Sequence, residues 1–522
     1  MATTSSSSST IAAVAVVITT IALQRLFVAR RWRKRLGNFP FSTPWFLPSL
    51  DLLHLIRAGS IGKFLQNRSA ALGNDPFYIR LPGSKGATLC LSNPADQAEI
   101  LRKEGKLKFS VDLPETMNKT HGPGSLQLMS GEKHNFFRKI FSSLLSPAAL
   151  QAYTPHFFQA FTSMWRELEE QCEGSKGPVV IQDAICKTQF FLMAKILYGM
   201  TPDNTTMDLM FQMRDDFEAQ LEGHFAPPYS GKFRKAAEAS QRLHKILAEK
   251  FDAILGKKHA LLLEENVDGN GRGNKGGGTS NIPVGNAMET VADALIKEGV
   301  DRDPKVIADV IDNLDLLLEA SHGTTMNVTT STLYFLNHSK NSDKLKKLRE
   351  EARAQLSIEQ EFPTFDKLKA GMPYADAVIK ETMRLAPIVE AVTYVANDDA
   401  LFIFKGQQIK GPIKFMLPWD HFLMDPRLFP RPEEFLPERW IPTSGLYVSE
   451  EARAAYTVFG MGRHVCLGNQ LAMLVMKSSL YCFVHDEARG IQFDEEKVLS
   501  KLGIFPAYSI SDGFPGRVSK IK

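Results

Sequence analysis

The chain has 522 residues, of which 44% are hydrophobic, 10% aromatic and 23% charged, ordinary values that exclude a disordered, collagenous or polytopic membrane protein. With 62 Lys and Arg against 58 Asp and Glu, a net charge of +4 is too small over this length to indicate a nucleic-acid binder. Five scattered cysteines (Cys90, Cys172, Cys186, Cys466, Cys482) form an odd set, which argues against a disulfide framework and for a reducing compartment.

The charge is concentrated at the start. Residues 1–50 hold six basic residues and no acidic one, which leaves the remainder near neutral, at 56 basic against 58 acidic. Within this arm, Ile11 to Ala29 is an apolar run broken only by Thr19, Thr20, Gln24 and Arg25, and the cluster Arg30-Arg31-Trp32-Arg33-Lys34-Arg35 follows at once. About 20 apolar residues cross a bilayer, and flanking basic residues keep their end on the cytosolic side. The pattern predicts a single-pass anchor with its basic stop over 1–38, most simply in the endoplasmic reticulum, with the body over 39–522 in the cytosol. A cleaved signal peptide would carry its positive charge before the apolar run rather than after it. The five consecutive serines of Met1 to Thr10 also fit a plastid or mitochondrial transit peptide.

Pro40, Pro44 and Pro48 then predict a stiff hinge. Phe77 to Leu81 and Ala87 to Leu91, separated by Pro82-Gly83-Ser84-Lys85-Gly86, read as two strands and a turn. Apolar residues at three- and four-residue spacing predict helices over His134 to Leu145, Pro155 to Cys172, Gln182 to Tyr198, Met207 to Leu221 and Lys235 to Leu263. Residues 264–286 interrupt this pattern with seven glycines among Asn, Asp and Lys, and predict a flexible surface insertion. They contain no phosphate-binding glycine motif, so nucleotide binding is discarded. Helices resume over Pro304 to Leu336, Asp343 to Leu356 and Pro373 to Leu385. The C-terminal third is strand-like and ends in a helix over Gly468 to Val484. The fold class is therefore mainly α with small β-sheets.

The chemistry concentrates in Phe459-Gly460-Met461-Gly462-Arg463-His464-Val465-Cys466-Leu467-Gly468. Three glycines around one cysteine describe a tight loop in which backbone N–H groups approach the sulfur. The loop opens into an apolar helix, whose N-terminal dipole and free N–H groups favour a thiolate. A thiolate held in this way suits a metal ligand.

This segment resembles the haem-binding loop of the cytochrome P-450 superfamily, the haem-thiolate monooxygenases. Three further landmarks stand in the family's order: His134 and Arg138 at i and i+4, Glu381-Thr382-Met383-Arg384, and Phe435-Leu436-Pro437-Glu438-Arg439-Trp440. The resemblance implies a haem-wrapping fold from about Phe39 to the C-terminus, preceded by one transmembrane helix. It implies haem b, its iron bound axially by Cys466, with Phe459, Gly462 and Gly468 shaping the cofactor loop. His134, Arg138 and His464 would bind haem propionates, with His134 where Trp is more common and His464 where most members have Arg. Glu381, Arg384 and Arg439 would form a buried charge network.

Two segments depart from the family's pattern. The helix expected to cross the haem usually carries an acid followed by Thr; here Ala320-Ser321-His322-Gly323-Thr324-Thr325 keeps Thr324 but has Gly323 for the acid. Oxygen activation needs protons, so the candidate donors are His322, Glu319 one turn earlier, or water lodged where Gly323 and Thr324 loosen the helix, with Thr324 and His322 expected to be catalytic. Thr393-Tyr394 stands where many relatives place a propionate-binding Arg.

The expected activity is a monooxygenase that inserts one oxygen atom from O2 into an apolar small molecule: a sterol, another lipid or a terpenoid. Electrons would come from a separate, NADPH-dependent reductase, attracted by basic residues such as Lys139, Arg463 and Lys477. The Gly323 helix looks like that of sterol 7-hydroxylases and prostacyclin synthase, and leaves open an isomerase or dehydratase acting on a lipid hydroperoxide or endoperoxide. A haem sensor without catalysis is the third reading.

Overall fold

A computed structural model describes residues 39–42, 48–58, 61–73, 75–80, 87–103, 109–174, 177–203, 205–224, 226–267, 285–355, 362–396, 400–486, 489–496, 499–501, 508–510 and 513–520. The anchor expected over 1–38 lies outside the described residues. Among the described residues no helix is long and apolar enough to cross a membrane.

The N-terminal part is more helical than its proline spacing predicts. Pro48 opens helix α1 (Pro48–Ala58), followed by α2 (Ile61–Ala71), so the third proline of the expected hinge starts a helix instead. Proline suits a first helical turn, where its missing N–H would have no partner in any case. The two expected strands are β1 (Phe77–Ile79) and β2 (Thr88–Cys90), paired antiparallel. Next come α3 (Pro94–Arg102), β3 (Ser110–Val111) and α4 (Glu115–His121). Helix α3 has a cap readable in the sequence: the Asn93 side chain accepts from the Asp96 N–H at 2.8 Å.

The helical body runs through α5 (Gly131–Ser142), α6 (Pro147–Gly174), the short strand β4 (Val179–Val180), α7 (Ile181–Tyr198), α8 (Met207–His224) and α9 (Gly231–Val267). Helix α6 starts at Pro147, eight residues before the expected Pro155, which lies inside it. Residues 264–267, assigned from sequence to the insertion, are the last of α9, and 268–284 lie outside the described residues. The insertion leads into an unforeseen helix, α10 (Ala287–Glu298). Asn286 caps it by accepting from Glu289 N–H at 3.1 Å, and the Asn286 amide donates to Glu289 Oε1 at 2.9 Å.

Helix α11 (Pro304–Asn337) is the axis of the fold. Asp303 caps it, Pro304 opens it, and it packs against α7, α9 and α4. Three helices follow: α12 (Ser342–Ala354), α13 (Phe365–Ala370) and α14 (Pro373–Leu385). Strands β5 (Ala391–Ala396), β6 (Leu401–Phe404), β7 (Gln407–Lys410) and β8 (Ile413–Pro418) come next, then α15 (Asp420–Leu423), α16 (Glu450–Ala455) and α17 (Asn469–His485). The chain ends in β9 (Arg489–Gln492), β10 (Leu499–Lys501), β11 (Tyr508–Ile510) and β12 (Pro515–Lys520).

Two cores hold these elements. In the helical core, α6, α7, α11 and α17 bury Trp165, Phe157, Phe161, Phe190, Leu314 and Phe483. Truncating one of these aromatic side chains to Ala costs about 3–5 kcal/mol in a close-packed interior. The second core lies on a five-stranded sheet ordered β1-β2-β8-β5-β3, mixed because β2 runs parallel to β8. Tyr394 pairs with Phe415 in the β5–β8 register, and Phe109 packs on both. The architecture is mainly α with small sheets, as expected.

Candidate functional site

The cysteine loop takes its shape from glycine. Gly460 (φ 75°) and Gly462 (φ 72°) occupy the left-handed region, which disfavours residues with a Cβ. They turn the chain so that Cys466 N–H donates to Phe459 carbonyl O at 2.7 Å. Gly468 stands at the N-cap of α17. Cys466 is exposed, although protein surrounds it enough for burial to push its thiol pKa up; the Gly468 backbone N–H and the Arg138 charge oppose that rise. Phe459 borders a cavity of about 300 Å³ with Tyr456, Met473 and Leu474.

Helix α5 supplies the groups beside the loop. His134 and Arg138 share one of its faces, as their i, i+4 spacing requires. The His134 ring lies 4.4 Å from that of His464, and Arg138 Nη2 donates to Val465 O at 2.8 Å. His464 Nε2 is 3.2 Å from Phe109 O, and the Tyr394 ring lies 5.7 Å away. Burial, with the charges of His464, Arg138 and Arg463, holds His134 down at about 4. Sequence reasoning placed His134, Arg138 and His464 together, and the structure brings them together. Tyr394, on the strand that lacks the family's Arg, joins them.

The expected charge network is complete and buried. Arg384 Nε and Nη2 donate to Glu381 Oε2 and Oε1 at 3.0 and 2.8 Å, and Arg439 Nε donates to Oε1 at 3.1 Å. Two partners escaped sequence reasoning: Trp440 Nε1 donates to Oε2 at 3.0 Å and Leu436 N to Oε1 at 3.0 Å. The aromatic residue directly after Arg439 was the available signal. The Trp440 ring lies 4.4 Å from that of Tyr456, tilted by 53°, and Tyr456 stands three residues before Phe459, so the network reaches the cysteine loop.

On α11 the expectations divide. Thr324, like Ala320 one turn earlier, is exposed, and its hydroxyl donates to Ala320 O at 2.8 Å. A Cβ on Gly323 would meet nothing within 4 Å, so open space adjoins the helix here. The helix continues unbroken through Gly323, contrary to the expected local loosening. His322 does not join Thr324. It is buried against α7, Nε2 3.1 Å from Cys186 O, with Phe190 and Phe217 edge-on to its ring. Residues two apart on a helix point about 200° apart, so Thr324 and His322 cannot share a face. Glu319 is also turned away, toward His121 and His224.

Residues 44–486 match the sequence model of the family described as Cytochrome P450. The chain belongs to the cytochrome P450 family. It is 24% identical to Cytochrome P450 26A1 of Xenopus laevis over 80% of this chain and 78% of that protein. A shorter stretch, 42% of this chain, is 30% identical to "Probable cytochrome P450 12c1, mitochondrial" of Drosophila melanogaster and spans 44% of that protein. The solved structure described as retinoic acid bound cyanobacterial CYP120A1 superposes with TM-score 0.69 at 21% identity, covering 93% of this chain and all of that one; the likeness is one of fold. Members of the family are monooxygenase oxidoreductases that bind haem with a cysteine thiolate as the axial iron ligand. The sensor reading therefore falls.

The side chains present fit that cofactor. Cys466 offers an exposed sulfur amid surrounding protein, with an N–H and a guanidinium favouring its thiolate. His134, Arg138, Arg463 and His464 gather beside it, a donor set suited to carboxylate anions such as propionates.

Proposed function

We propose that this cytochrome P450 inserts one oxygen atom from O2 into an apolar small molecule, a sterol, another lipid or a terpenoid, with electrons from a separate NADPH-dependent reductase. The exposed Cys466 sulfur within the glycine-turned loop carries this reading. Haem bound there supplies O–O cleavage, which thiolate donation favours.

The chain's own residues hold and orient. Cys466 would hold the haem iron, with Phe459, Gly462 and Gly468 shaping its loop. His134, Arg138 and His464 would hold the haem propionates. Glu381, Arg384 and Arg439 lock α14 and the segment before the loop, while the Thr324 hydroxyl holds a proton at the oxygen side. The 1–38 arm anchors the body to the endoplasmic reticulum membrane, supported by its apolar run and basic stop. An apolar substrate is supported by the retinoic acid bound in the cyanobacterial relative of the same fold.

A second reading keeps the haem and changes the reaction: rearrangement of a lipid hydroperoxide or endoperoxide, which needs no delivered electrons. It is favoured because Gly323 replaces the acid while His322 and Glu319 both turn away from Thr324. A screen of sterols, oxylipins, terpenoids and retinoids for spectral binding shifts, followed by turnover with reductase and NADPH under labelled O2, separates the two. Label in the product and NADPH consumption support the monooxygenase. Hydroperoxide turnover without reductant, and none with it, overturns the monooxygenase.

A further inference from the structure

Away from the cysteine loop, a second buried polar cluster joins three helices. Glu319 of α11 meets His121, the last residue of α4, and His224, the last residue of α8. His121 Nε2 lies 2.6 Å from Glu319 Oε2, and His224 Nδ1 lies 3.4 Å from Glu319 Oε1. One potential ligand atom from each residue can be taken so that all lie within 4.8 Å of one another. Both histidines are buried, and their ring centroids are 4.7 Å apart.

The cluster is unevenly satisfied. Asp315, one turn before Glu319, has its partners: Gln220 Nε2 at 2.7 Å, His244 Nε2 at 3.2 Å and His121 Nδ1 at 3.4 Å. His121 Nε2 and Glu319 Oε2, despite their closeness, make no hydrogen bond of acceptable geometry. The potential ligand atoms of His121, His224 and Glu319 nevertheless converge as the ligands of a common centre do.

We propose that His121, His224 and Glu319 bind a divalent transition-metal cation, with zinc the best chemical match. Two imidazoles and one carboxylate are a zinc donor set, whereas magnesium and calcium prefer oxygen alone. Zinc takes tetrahedral bonds of about 2.0 Å, reached here by small side-chain adjustments, with water as fourth ligand. Asp315 stands behind His121 as the carboxylate that fixes the ring and raises its basicity. The ion ties α4 and α8 to α11 one turn before Gly323 and Thr324, a structural role separate from the haem chemistry. Binding displaces a proton from His121, so affinity rises with pH.

The test uses the full-length, haem-loaded protein and zinc alone. After equilibrium dialysis against a weak chelator, zinc and iron are counted by mass spectrometry, and the zinc K-edge is recorded. The proposal expects one zinc per haem iron, with histidine imidazole scattering and a light-atom shell. Glu319→Gln and His224→Gln should lose the zinc, and Asp315→Asn should weaken binding about 10–100-fold. Substoichiometric zinc at saturation, a sulfur shell or an all-oxygen shell would overturn it. So would zinc retained by both ligand variants. The wild-type absorption edge decides even if those variants fail to fold.

Discussion

His322 and Thr324, two residues apart, stand on opposite faces of α11. The His322 Nε2 lies 3.1 Å from Cys186 O on α7, while the Thr324 hydroxyl donates to Ala320 O along its own helix. Helical geometry fixes this separation at about 200°, so of these two residues Thr324 alone can take the oxygen-side role proposed for it. Thr324→Ala should lower kcat for NADPH-supported turnover about 100-fold, the lower end for a positioned proton-transfer group. His322→Gln should leave kcat unchanged and reduce unfolding free energy by about 1–3 kcal/mol, because it disturbs a buried hydrogen-bonded ring. Steady-state kinetics and denaturant unfolding read the two effects apart.

The Glu381 carboxylate receives donors from four residues in two segments: Arg384 of α14, and Arg439, Trp440 and the Leu436 backbone N–H of the stretch 436–440. Glu381→Ala leaves two buried guanidinium groups without their anion and should cost about 3–5 kcal/mol. Trp440→Phe removes one donor and should cost about 1–3 kcal/mol. Haem retention through gel filtration should fall in the same order as the measured unfolding free energies.

Lys477 does not belong to a partner-binding surface, contrary to the expectation from sequence. It is buried on α17, its ammonium 3.0 Å from Asp376 and donating to Lys369 O at 2.8 Å. Lys139 is exposed beside Glu298 at 2.9 Å. Lys139→Glu should raise the KM for reductase in a salt-dependent way without altering stability. Lys477→Ala should lower stability by about 1–3 kcal/mol and leave the KM unchanged.

The cluster around Asp315 gives a pH signature. Burial alone would lower the His121 pKa, but contacts with Asp315 and Glu319 outweigh it and push it up to about 10. A folded-state value above the unfolded 6.5 means that the stabilisation is complete below about 6.5 and is lost as pH rises through about 10. In chelator-treated protein, unfolding free energy should fall across this window, and His121→Gln should flatten the fall. Added zinc should oppose it, since the ion takes the proton's place.

Long periodic segments of this fold were legible in the sequence. Helices α7, α11, α14 and α17 bury wide apolar faces at helical spacing, and their observed bounds differ from the expected ones by a few residues at most. Short helices α1 to α4 were missed because their apolar runs are brief, though Asn93 and Pro94 signalled one start. The cysteine loop, the His134–Arg138 face and the Glu381 network were readable because local spacing defines them. Lys477 could have been excluded, since it follows Leu474-Val475-Met476 inside an apolar helix. The cluster of His121, His224 and Glu319 had no such signal: its members are far apart in the chain and meet only through the packing of α4, α8 and α11. His322 stood close in sequence to the position that lacks an acid, but a two-residue step along a helix carries it to the face opposite Thr324.

The central claim is that Cys466 holds haem iron as a thiolate. The direct test is the reduced carbon monoxide difference spectrum of the full-length protein beside Cys466→Ala. The wild type should show a thiolate-type Soret band, and the variant should lose it. A band that Cys466→Ala leaves unchanged, or a wild-type spectrum without the thiolate signature, would contradict it.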